Sequence, residues 1–82
     1  MRKLELIKAI DYAIVNGEPI GVIFNTEDII INPFENLKAA RDYYFSAYDD
    51  DCKLITKSDI IIIEVLNSYN TISTFLKEKI GL

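Results

Sequence analysis

Asp59-Ile60-Ile61-Ile62-Ile63-Glu64-Val65-Leu66 is the stretch whose reading decides the fold. Four consecutive isoleucines lose rotamer freedom in a helix, whereas a pleated strand accommodates their branched Cβ atoms. The run predicts a strand buried on both faces, with residues 60–64 shielded from solvent. A rival reading starts one long helix at Ser58-Asp59 and carries it through Ile60, Ile63 and Leu66. The β-branched run weighs against it. A shorter twin, Asp28-Ile29-Ile30-Ile31, lies upstream. The two are expected to form the central strands of one small sheet, with the rest of the chain covering them.

The flanks of each run supply the partners. Lys53-Leu54-Ile55-Thr56 reads as a strand and Lys57-Ser58 as the tight turn into the long one. Upstream, Pro19 to Phe24 reads as a strand, Asn25-Thr26-Glu27 as a turn, and Asp28 to Ile31 as the antiparallel return. Gly21, inside a strand, marks a bulge or a close backbone approach.

Three helices complete the chain. Leu4, Ile7, Ile10 and Ile14 recur at helical spacing over about residues 3–15, and Asn16-Gly17 with Pro19 stops that helix. Asn32-Pro33-Phe34-Glu35 has the form of a capped helix start, with Asn32 as cap and Glu35 at the capping-box position. That second helix is expected from Pro33 to about Tyr48, with Phe34, Leu37, Ala40, Tyr44 and Tyr48 inward. Asn67 or Ser68 caps the last helix, whose stripe is Ile72, Phe75, Leu76 and Ile80. The expected class is α+β: a four-stranded antiparallel sheet with three helices, in the order α-β-β-α-β-β-α, in one domain over residues 1–82.

Sliding the chain by thirty-one residues aligns Leu6 with Leu37, Ala9 with Ala40, Asp11-Tyr12 with Asp42-Tyr43, and Asp28–Ile31 with Asp59–Ile62. The pattern suggests an internal duplication of an α-β-β unit.

Composition narrows the function. The hydrophobic share of 50% is that of a globular chain, and no apolar run reaches the length of a membrane span. Met1 to Leu6 opens like a signal peptide, but Glu5, Lys8 and Asp11 interrupt the apolar region, so a cytoplasmic protein is expected. There is no histidine and one cysteine, Cys52, which rules out a disulfide within the chain and leaves no ligand set for structural zinc. The glycines Gly17, Gly21 and Gly81 are too scattered for a phosphate-binding loop. No catalytic residue, metal site or cofactor is expected. The net charge of −4 opposes direct contact with nucleic acid.

Binding to another protein is the expectation that remains. Asp49-Asp50-Asp51 follow the second helix, where carboxylates face the negative end of the helix dipole. With Glu18 taken as nearby, they are the candidate charged contacts, able to present phosphate-like charge. Their replacement by asparagine is expected to leave folding intact or slightly improved. Tyr43 and Phe45, outside the inward stripe, are the candidate apolar anchors.

In size, acidity and lack of catalytic groups the chain resembles small phage-encoded inhibitors such as anti-CRISPR proteins, or antitoxin and immunity proteins. The likeness is one of type and transfers no residue. It implies a host partner with a basic surface, such as a nuclease or another nucleic-acid enzyme. Two alternatives stand beside it: a small-ligand or nucleotide site around Tyr43, Tyr44 and Tyr48, and a homo-oligomerising structural module, with a homodimer the simplest case.

Overall fold

A computed structural model describes residues 1–81. Among them the order is α1 (Lys3–Asn16), β1 (Ile20–Phe24), β2 (Ile29–Asn32), a 3-10 turn (Phe34–Asn36), α2 (Leu37–Ala47), β3 (Lys53–Leu54), β4 (Lys57–Asn67) and α3 (Tyr69–Lys79). The strands form one antiparallel sheet in the order β2-β1-β4-β3. The α+β class, the four strands and the three helices are those the sequence predicts, and the isoleucine run is strand throughout.

The sheet has two unequal sides. On one, α1 and α2 pack over Ile20, Val22 and Phe24 of β1 and Ile62 of β4, joined by Leu6, Ile10, Leu37, Tyr44 and Tyr48. On the other, α3 alone brings Ile72 against Ile23 and Leu66, with Phe75 and Leu76 half-buried. One eleven-residue helix cannot cover a four-stranded sheet, so that side stays partly open.

This asymmetry corrects two expectations. β2 is an edge strand, and β1 takes the central place beside β4. All five residues of β1 are buried, because it alone lies between two strands and between two layers over its whole length. β4 is shielded only in part: Ile62 is fully buried, whereas Ile63 is 51% exposed and Glu64 is exposed. Between Ile23 and Phe24 the register with β4 shifts, Ile23 facing Glu64 and Phe24 facing Ile62. Ile63 is the extra residue of this bulge and lines the partly open groove beside Phe75 of α3.

Other local expectations shift for equally specific reasons. Asn32 ends β2 and donates from its side-chain amide to the Tyr44 hydroxyl (3.2 Å) instead of capping a helix. Pro33 stays extended, and α2 proper begins at Leu37 after the 3-10 turn. Ser68 caps α3 by accepting from the Thr71 N–H. Ile80 lies just past that helix and is exposed, so the buried stripe of α3 is shorter than its spacing suggests. Gly17 adopts φ 67°, the left-handed conformation that ends α1 as expected. Gly21 marks a close approach: a Cβ there would lie 3.0 Å from Ile29 Cδ1 and 3.3 Å from Ile72 Cγ1.

The aligned strands of the suggested duplication occupy unlike places. β2 lies at an edge and its counterpart β4 at the centre, so the sheet order has no exchange symmetry between the two units.

Candidate functional site

The acidic run reaches its position through α1. After α2 the chain passes the first turn of that helix, where the backbone N–H of Lys3 donates to the Asp50 carbonyl (2.9 Å). Free N–H groups at a helix start make a positive environment. Asp49-Asp50-Asp51 therefore follow the unfavourable end of α2 and sit at the favourable end of α1. Sequence proximity alone concealed this.

Each carboxylate in the run has a different situation. Asp49 Oδ1 accepts from the backbone N–H groups of Asp51 (2.9 Å) and Lys53 (3.0 Å), closing the loop on itself. These bonds, that from Lys53 foremost, hold its pKa below the ordinary carboxylate value. Asp51 pairs with the Arg2 guanidinium at 2.9 Å, an exposed pair of small energetic value. Asp50 contributes its backbone carbonyl to α1. The loop turns at Cys52, whose φ of 60° is left-handed and whose side chain is fully buried. Burial pushes the thiol pKa up, the mark of a packed residue rather than a nucleophile.

Replacing all three aspartates should therefore weaken the loop, against the expectation that folding would be unaffected or improved. The role of Asp49 can be read by pH. Its pKa is depressed in the folded state, so its contribution is present above the unfolded value and lost as pH falls through the folded value. Asp11, lowered by the bidentate Arg41 contact that ties α1 to α2, behaves alike. Melting midpoints should fall as pH drops from about 5 to about 2. Asp49→Asn should lower the midpoint at neutral pH and flatten that slope; an unchanged acid slope would mean the bonds to Asp49 contribute nothing.

The aromatic candidates separate. Counted around α2, Tyr43 and Phe45 point to opposite flanks. Phe45, 55% exposed, lies beside α1: Lys3 Nζ donates to its carbonyl (2.8 Å) and sits 4.8 Å from its ring centre. Tyr43, 53% exposed, lies on the flank away from α1, edge-on to Tyr44 and Tyr48. Tyr44 and Tyr48 are themselves buried, and burial pushes the Tyr48 hydroxyl pKa up to about 12. The three tyrosines form packed structure with one exposed member, which leaves little for a small ligand to enter.

Glu18 is not nearby. It lies just beyond the C-terminal end of α1, whereas the acidic loop lies at the N-terminal end; fourteen helical residues separate them by about 21 Å.

What converges is a patch at the start of α1. Arg2, Lys3, Leu4, Phe45 and Asp50 line a shallow depression of about 350 Å³. Leu4, 72% exposed, and Phe45 are its two large apolar lining residues. Sequence reasoning missed Leu4, which at helical spacing counted as core. Arg2 and Lys3 are legible in the sequence as basic residues near the N-terminus, but only the fold carries residues 2–4 to residues 45–51.

No family model, curated protein or solved structure matches this chain. No helix among the described residues is long and apolar enough to cross a membrane.

Proposed function

We propose that this chain is a non-enzymatic cytoplasmic protein that binds a host protein and modulates or inhibits it, in the manner of phage anti-defence proteins or of antitoxin and immunity proteins. The observation that carries the reading is that Leu4 and Phe45, two large exposed apolar side chains, line one depression together with Arg2, Lys3 and Asp50. An apolar centre with a charged rim is the anatomy of a protein-binding hot spot. The net charge of −4 favours a partner with a basic surface, such as a nucleic-acid enzyme. Phosphate mimicry is the weaker part of this reading, because Arg2 and Lys3 offset the acidic loop locally and Asp49 is committed to backbone bonds.

The test is capture from the source cell followed by binding measurements on the purified partner. Phe45→Asp and Leu4→Asp should each weaken binding by ~2 kcal/mol or more with the fold intact. Asp50→Asn should mainly slow association and reduce its salt dependence. A partner bound equally well by wild type and both aspartate variants would remove the patch from the account.

A further inference from the structure

We propose that two copies of this chain pair through the free edge of β2, antiparallel about a two-fold axis at Ile30, joining two four-stranded sheets into one. β2 is an edge strand of Ile29-Ile30-Ile31-Asn32, with Ile30 49% and Ile31 46% exposed. Its outer row of backbone N–H and C=O groups faces away from β1, and the pairing with β1 is regular through all four residues. No lysine, proline or bulge interrupts it, and among the usual devices that blunt an edge only its short length is present.

The edge is self-complementary in one register. With Ile30 opposite its own counterpart, Ile29 meets Ile31 of the second copy and Asp28 meets Asn32, so no like charges are opposed. A slip of two residues one way sets Glu27 against Ile31. The opposite slip sets Pro33, which has no N–H, against Ile29. The correct register also keeps each side continuous: Ile29 extends the apolar surface under α3, and Ile30 lies on the side of α1 and α2. The bond from Asn32 to Tyr44 sets α2 above β2, so the exposed Tyr43 flank adds apolar area on that side.

The opposite edge explains why assembly stops at two. β3 has two residues, and its pairing with β4 shifts register between Lys53 and Leu54. It offers only a short, irregular template, and a two-fold contact at β2 uses the same edge of both copies and so closes. A strand pair this short covers less than the ~800 Å² per partner of a standard interface, so a weak, reversible dimer is expected.

Sedimentation equilibrium of the full chain from about 1 μM to about 1 mM should show a reversible dimer. Ile30→Lys should weaken it by about tenfold or more, through an edge charge, while Ile55→Lys, at the exposed β3–β4 turn, should not. Ile30→Cys should form an intermolecular disulfide under mild oxidation and Ile55→Cys should not, which decides the matter even where the lysine variant folds poorly. A monomer at every concentration overturns the proposal, including one whose edge takes up a strand from another protein. So does a dimer that Ile30→Lys leaves unchanged. Either result leaves the Leu4–Phe45 patch untested and standing, since it lies on other elements.

Discussion

Ile62→Asp should abolish folding, leaving a chain without cooperative thermal unfolding. Ile62 is fully buried, opposite Phe24 and against the side of the sheet that α1 and α2 cover. Its backbone N–H donates to the Cys52 carbonyl, so the acidic loop is anchored at the same residue. An unpaired carboxylate there costs more than the roughly 5–15 kcal/mol that stabilises a domain. Ile62→Ala, which leaves a void without a charge, should cost about 2–5 kcal/mol. The neighbours make the prediction sharp. Ile63→Asp should fold, because Ile63 is the exposed bulge residue. Circular dichroism and thermal melts of the three variants decide it: loss of structure in Ile63→Asp, or its retention in Ile62→Asp, would place the bulge elsewhere.

Gly21→Val should have the next largest effect and should strike a different layer. Gly21 lies where Ile29 and Ile72 close over β1, and even a single Cβ would meet them at 3.0 and 3.3 Å. Alanine can be admitted by a small shift of the Ile29 side-chain tip, with a cost below about 1 kcal/mol. Valine adds two more carbons with nowhere to go, so α3 must lift, at about 1–3 kcal/mol or more. The expected signature is local: faster amide exchange along α3 with α1 and α2 unchanged. Equal stability of wild type and Gly21→Val would contradict the close packing of α3 on β1.

The parts of the fold legible in the sequence were those set by local chemistry. The isoleucine run favours strand over the rival long helix and Gly17 ends α1, but the turn falls at Ile55-Thr56, with Lys57-Ser58 already in β4 rather than forming the turn. Which strand would be central was not legible, because Asp28–Ile31 and Asp59–Ile62 read alike letter by letter. Their burial differs only through position: β4 gains neighbours on both sides, and β2 on one. The capping pattern at Asn32 misled for a related reason. The same side chain can cap a helix or reach a tertiary partner, and Tyr44, twelve residues on, wins it.

The candidate site divides in the same way. Phe45 and the acidic run could be picked out as unusual from their own surroundings. Their grouping with Arg2, Lys3 and Leu4 depends on the contact between the start of α1 and the loop after α2, more than forty residues apart in the chain. The supposed neighbour Glu18 failed by the same measure, placed at the far end of a straight helix. The misfit of three carboxylates at the end of α2 disappears once the positive end of α1 is seen beside them.

The central claim is that the start of α1 and the end of α2 form the docking surface. Amide exchange of the chain, alone and in complex with its captured partner, tests it most directly. New protection is expected at residues 1–8 and 43–52, with α3 unaffected. New protection confined to α3 and the groove lined by Ile23, Ile63 and Phe75, with the start of α1 exchanging as in the free chain, would contradict it.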